Sequence, residues 1–180
     1  MAGMRQIVLL RGINVGKAKR IAMAELRELL ADLGHTDVQT LLNSGNAVVS
    51  TDTKTADTEQ AVRAAISERY GFEVAVVVRT AKQWATAMSH DPFGKTATDG
   101  ARHFVGFCSA APKAAAAKEF AALSGDDFQV AAVGAQIFAW CPSGLLNSGF
   151  GAIDLRRILG VDTTMRNWNT VEKLAAMVDS

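Results

Sequence analysis

The chain has 180 residues, enough to bury a core as one medium domain or two small ones. Hydrophobic residues make up 49% and charged residues 21%, an ordinary globular balance, and no apolar run approaches the roughly 18–20 residues that cross a bilayer. Nineteen Lys and Arg against eighteen Asp and Glu leave a net charge of +1, which excludes a chain that holds nucleic acid through its overall charge.

The start, Met1-Ala2-Gly3-Met4-Arg5, has neither the apolar stretch nor the small-residue cleavage site of a secretory leader. With only Cys108 and Cys141, neither a disulfide framework nor a zinc site is indicated. The expectation is a cytoplasmic protein without a membrane segment or metal centre, and no motif specifies a cofactor. Charge is less even than its total: residues 1–24 hold Arg5, Arg11, Lys17, Lys19 and Arg20 and no acid, so a local anion site is possible where a global one is not.

The aliphatic run Ile7-Val8-Leu9-Leu10 predicts a strand over residues 5–11, ended by glycine. A loop follows, Arg11-Gly12-Ile13-Asn14-Val15-Gly16-Lys17. Leu26, Leu29, Leu30 and Leu33 then recur at helical spacing, with Glu25, Arg27, Glu28 and Asp32 on the other face and Gly34 as a left-handed stop. Residues 38–42 and 47–50 read as two strands around the turn Asn43-Ser44-Gly45-Asn46. A second helix carries Val62, Ile66 and Tyr70 and closes at Gly71. Residues 72–79 form a fourth strand, whose unalternating Val74-Ala75-Val76-Val77-Val78 run predicts burial on both faces.

That order is the β-α-β-β-α-β of ferredoxin-like domains. Thr80-Ala81-Lys82-Gln83 has the spacing of a capping box and opens a connecting helix with Trp84 and Met88, ended by His90-Asp91-Pro92-Phe93-Gly94. Residues 95–100 read as a linker.

The second half repeats the grammar. Residues 103–108 form a strand, and Pro112 opens an Ala-rich helix running to Leu123. Residues 128–133 and 136–141 make a hairpin around Gly134. A helix with Ile153, Ile158 and Leu159 ends at Gly160, and residues 161–165 form a short strand. A last helix turns Val171, Leu174 and Val178 inward, with Asn169 or Thr170 as its N-cap. The fold class is therefore α+β: two ferredoxin-like halves, residues 1–94 with the connecting helix and residues 95–180 with a terminal helix.

Chain direction fixes which loops share an end. Strand 1 runs up, its helix down and strand 2 up, so the loop after strand 1 and the hairpin between strands 2 and 3 meet. Arg11, Asn14, Lys17, Asn43, Ser44 and Asn46 then form one polar cluster suited to a small phosphate- or carboxylate-bearing ligand. Glycines admit backbone N–H groups, and the helix beginning near Ala22 adds a weak positive end. Gly12-x-x-x-Gly16-Lys17 is one residue short of a Walker A loop, and Ala18 stands where magnesium needs Ser or Thr, so a P-loop NTPase is rejected; without Gly-x-Gly-x-x-Gly, so is a Rossmann domain. The bland alternative is that the glycines shape a turn, Asn43-Ser44-Gly45 is only a hairpin, and Lys17, Lys19 and Arg20 are solvated.

Elsewhere the bland readings lead. His35, His90 and His103 have no metal spacing, Cys108 and Cys141 read as core thiols, and Trp84 and Met88 read as packing. Arg166-Asn167-Trp168-Asn169-Thr170 supplies a secondary set, Arg166, Asn167 and Asn169, for a planar or anionic group, against a plainer reading as a helix cap with Trp168 as a plug.

Leu9-Leu10-Arg11-Gly12-Ile13-Asn14-Val15-Gly16, Met23-Ala24-Glu25-Leu26-Arg27, Asn43-Ser44-Gly45-Asn46, Asp91-Pro92-Phe93 and Thr164-Met165-Arg166-Asn167-Trp168-Asn169-Thr170-Val171 occur in this order along the chain. In these motifs the sequence resembles the bacterial family called domain of unknown function 1697. The resemblance implies an α+β fold of paired ferredoxin-like units and no established activity, substrate or catalytic residue.

The leading functional expectation is a small anionic ligand at the strand-1 end, with no reaction assigned. One alternative is single-stranded nucleic acid, for which ferredoxin-like sheets often serve. Strands 1 and 3 lack the stacking aromatics, leaving His103, Phe104 and Phe107 in the second half. The other is a homo-oligomeric module pairing through sheet edges or faces.

Overall fold

A computed structural model of the chain describes residues 3–180; Met1 and Ala2, where the leader reading begins, lie outside the described residues. The chain divides into two compact units, one running to Ala85 and including Lys173–Ser180, the other Thr86–Glu172.

In the first unit β1 (Met4–Leu10), α1 (Met23–Asp32), β2 (Thr36–Leu41), β3 (Asn46–Thr51), α2 (Thr55–Tyr70) and β4 (Val76–Thr80) follow one another. The sheet has the order β2-β3-β1-β4 and every pairing is antiparallel, as a ferredoxin-like unit requires. Val8, Leu10, Val49 and Val78 join Leu26, Leu29 and Leu30 of α1 and Val62 and Ile66 of α2 in one apolar core. Ile7, Leu9, Val48 and Val77, on the opposite face, are buried as well, so the continuous aliphatic runs reflect a sheet buried on both sides.

The local signals act as their chemistry dictates. Gly34 and Gly71 stop α1 and α2 in the left-handed region. α3 (Ala81–Ser89) opens on a reciprocal capping box: Gln83 N–H donates to Thr80 Oγ1 at 3.1 Å, and Thr80 N–H to Gln83 Oε1 at 2.9 Å. β4 begins at Val76 rather than at residue 72, because β1 pairs with it only from Leu10↔Val76 onward.

The second unit contains β5 (His103–Cys108), α4 (Ala114–Ala121), β6 (Gln129–Val133), β7 (Gln136–Trp140), α5 (Leu155–Leu159) and β8 (Thr163–Asn167), in a sheet of order β6-β7-β5-β8. α6 (Trp168–Asp179) closes the chain. Phe120, Ile137, Ala139 and Leu159 anchor its core. The protein is thus an α+β fold of two tandem β-α-β-β-α-β units with added helices. Several expectations need correction here. Pro112 precedes Lys113, the N-cap of α4, rather than opening the helix, which ends at Ala121 and not Leu123. The last strand is Thr163–Asn167 and not 161–165, because β5 pairs with it only from Cys108↔Thr163 onward. Ile153 lies outside α5, because the Asp154 side chain accepts from Arg157 N–H and starts that helix after it. The α6 cap is Asn167, whose Oδ1 accepts from Thr170 N–H at 3.0 Å, two residues before the earliest expected position.

Candidate functional site

Residues 14–20 form an excursion between two buried isoleucines, Ile13 and Ile21, which anchor it in the core. Leu10 N–H donates to the Gly45 carbonyl at 2.8 Å, so the loop leaves β1 directly against the β2–β3 hairpin. Asn14 then joins the two. Its Nδ2 donates to Ile21 O at 2.8 Å and to Asn43 O at 2.7 Å, and its Oδ1 accepts from Ile21 N–H at 2.9 Å. Asn14 is itself left-handed, a conformation that asparagine tolerates better than most residues. Gly45 is obligatory at the facing position: it has φ +90°, and an added Cβ would lie 2.7 Å from Leu10 Cβ.

All six residues expected at this end are placed there, in two different roles. Asn14 and Asn46 are framework. Asn46 is fully buried, donating to Leu41 O and to Ser44 Oγ. Arg11, Lys17 and Asn43 are exposed, as is Ser44. Lys19 Nζ reaches the Glu73 carbonyl at 2.9 Å and braces the loop.

Arg20 was not among the expected contacts, yet it lines an open cleft of about 300 Å³ with Asn14, Ile21, Ala22 and Asn43. Its signal in the sequence was its place as the last cation of the acid-free N-terminal segment. Ala22, which lines the cleft, is also the N-cap of α1, and no side chain caps that helix start.

The secondary set lies in the second unit. Burial pushes the Arg166 guanidinium down to about 10, and its Nη1 donates to Met165 O. Asn167 is spent on the α6 cap, and Asn169 Oδ1 fills the space that a Cβ on Gly100 would need. Trp168 stacks on His103 with centroids 4.6 Å apart, and its indole N–H donates to Glu172. His103 Nε2 lies 3.0 Å from Asp91 Oδ1, both side chains being almost wholly buried. Asp91 also accepts from Phe93 N–H. The Asp91 and Trp168 motifs, far apart in sequence, therefore meet on one histidine that the spacing rules passed over.

Other features offer less. A larger hollow of about 670 Å³ follows the outer face of α2, but Glu59 there is spent on Val78 N–H and Glu73 on Ser67 Oγ. Cys108 and Cys141 are buried free thiols, and burial pushes Cys141 up, away from the thiolate a nucleophile needs. Among the described residues no three His, Cys, Asp or Glu side chains are grouped to hold a metal ion, and no helix is long and apolar enough to cross a membrane.

Comparison with known proteins agrees with this architecture. No curated protein matches the chain. Among solved structures, the conserved bacterial protein SP0830 from Streptococcus pneumoniae superposes with a TM-score of 0.73 at 20% identity, over 97% of this chain and 98% of that one, which shows a shared fold. The family described as "Protein of unknown function (DUF1697)" matches residues 4–138, a span that takes in the Asn14 loop, the β2–β3 hairpin and the Asp91–His103 pair. The chain belongs to the DUF1697 family of bacterial proteins.

Proposed function

We propose that the end of the first unit built by the β1–α1 loop and the β2–β3 hairpin binds a small anionic ligand. The observation that carries this reading is the Asn14 bridge, which holds a loop of cations against the hairpin beside an open cleft. Arg11, Lys17 and Arg20 supply charge at the surface, Asn43 offers an amide, and the uncapped start of α1 adds N–H groups. Asn14, Ser44 and Asn46 set the shape of the site.

The alternatives draw less support. Among the strand aromatics, His103 and Phe107 are buried and Phe104 packs against the apolar core, so they offer no stacking platform. The outer edges of two strands are stopped by side chains. Glu59 and Gln83 take N–H groups of β4, and Ser124 Oγ both accepts from Val130 N–H and donates to Val130 O on β6.

Calorimetric titration of the full chain with inorganic phosphate, sugar phosphates and nucleotides at low salt tests the proposal. Saturable binding that weakens at least tenfold in Arg11→Ala, Lys17→Ala or Arg20→Ala is the expected result. Absence of binding by the wild type, or wild-type affinity in all three variants, overturns it.

A further inference from the structure

Two large aliphatic side chains stand in water at the same end. Val15 is 73% exposed and Leu42 55% exposed. Each is one residue from the Asn14–Asn43 bond: Val15 follows Asn14 and Leu42 precedes Asn43. Leu42 also adopts φ +57°, a conformation that disfavours any residue with a Cβ. Folding gains less from these two than from buried aliphatics, since more than half of each stays in water.

The neighbouring cleft has the same mixed character. Ile21 and Ala22 form part of its wall, and Arg20, Asn14 and Asn43 the rest. Its volume of about 300 Å³ stands at the small end of ligand sites. Scattered apolar residues are common on surfaces, but here two of them adjoin in sequence Asn14 and Asn43, which line a cleft with Arg20, Ile21 and Ala22.

We infer that the ligand of this site is amphiphilic: a phosphate or carboxylate carrying a short aliphatic group. Arg20, with Arg11 and Lys17, holds the anionic end, and Val15, Leu42 and the exposed Ala22 take the chain. The inference rests on the anion-binding reading and deepens it by adding an apolar half to the ligand. The small cleft favours a soluble ligand of a few carbons over a lipid in a bilayer.

Titration of the full chain with inorganic phosphate, methyl phosphate and butyl phosphate separates the two claims. Butyl phosphate binds at least about tenfold tighter than methyl phosphate, within the limit of roughly three- to fourfold for each buried methylene. The double variant Val15→Ser, Leu42→Asn keeps wild-type affinity for inorganic phosphate and loses the gain from the butyl chain; asparagine suits the backbone at residue 42, so the hairpin is retained. Arg20→Ala weakens all three ligands. Equal affinity of the wild type for methyl and butyl phosphate overturns the inference while leaving anion binding intact. So does a butyl gain that survives the double variant, or capture by phosphatidylglycerol vesicles without a butyl gain. If inorganic phosphate does not bind at all, the anion reading fails first and this inference falls with it.

Discussion

Asn14 Nδ2 donates to the main-chain carbonyl of Asn43 across 2.7 Å, tying together loops 29 residues apart in the chain. The same side chain closes its own loop by exchanging two bonds with the backbone of Ile21. One amide thus sets the distance between the cationic loop and the hairpin.

Asn14→Ala removes those three bonds and leaves an alanine in the left-handed region. The expected loss is about 2–4 kcal/mol, combining unmade bonds to backbone groups with the backbone cost. Asn14→Gly keeps the conformation and loses only the bonds, so it falls between wild type and Asn14→Ala. Urea unfolding of the three proteins checks the order; an alanine variant as stable as wild type would remove Asn14 from its framework role.

Gly45→Ala meets two obstacles at once, a φ of +90° and a Leu10 Cβ at 2.7 Å from the new methyl. It destabilises by roughly 2–3 kcal/mol, because β1 must shift for the methyl to fit. Gly34→Ala, with nothing within 4 Å, carries the conformational cost alone and loses about 1 kcal/mol. Thermal melts of both proteins check the difference.

His35 is buried after α1, with neither ring nitrogen hydrogen-bonded, and burial lowers its pKa below 6.5. The unfolded chain therefore binds a proton more readily than the folded one between the lowered pKa and 6.5. Stability from this group is complete above pH 6.5 and declines as pH falls through that window. Replacing His35 by Leu removes this part of the slope. Denaturation at pH 5.5 and 7.5 reads the effect: an unchanged difference between the two pH values in His35→Leu would contradict it.

Asp91→Ala leaves the buried His103 Nε2 without its carboxylate partner and frees the turn at Phe93. A loss of about 1–3 kcal/mol follows from the unmade hydrogen bond. Because His103 stacks on Trp168, the indole emission changes as well. The change is absent when Trp168 is first replaced by Phe, which separates it from the signals of Trp84 and Trp140. An identical spectrum in Asp91→Ala would show that the stack does not depend on Asp91.

The helices were legible in the sequence through apolar residues at helical spacing and chemical stops, and the strands as short aliphatic runs bounded by turns. Leu26, Leu29 and Leu30 mark the inner side of α1; Gly34 and Gly71 end helices; Thr80 and Gln83 cap α3. The error at the α6 cap has a local cause. Asn167, Asn169 and Thr170 all have capping chemistry, and only the backbone path out of β8 selects Asn167.

The convergence of the two loops followed from chain direction alone. The division of labour within them did not. Asn14 and Asn46 look as fit to meet a ligand as Asn43, yet their hydrogen bonds are consumed by the backbone. Within the cationic segment nothing in the sequence singles out Arg20 over Lys19, and its place beside the cleft depends on the anchoring of Ile21. The sequence names His103 as a strand aromatic but not its contacts, because its partners, Asp91 and Trp168, lie 12 and 65 positions away.

By itself the sequence determined the order of elements, the two α+β units and the end of the first unit at which two loops meet. Periodicity and turn chemistry act over a few residues, and antiparallel topology turns them into direction. Tertiary structure decided which polar groups are spent on the frame and which face water, as it decided the Asp91–His103–Trp168 stack. Those choices depend on distances between residues remote in the chain, and side-chain hydrogen bonding is decided by distance rather than by residue type.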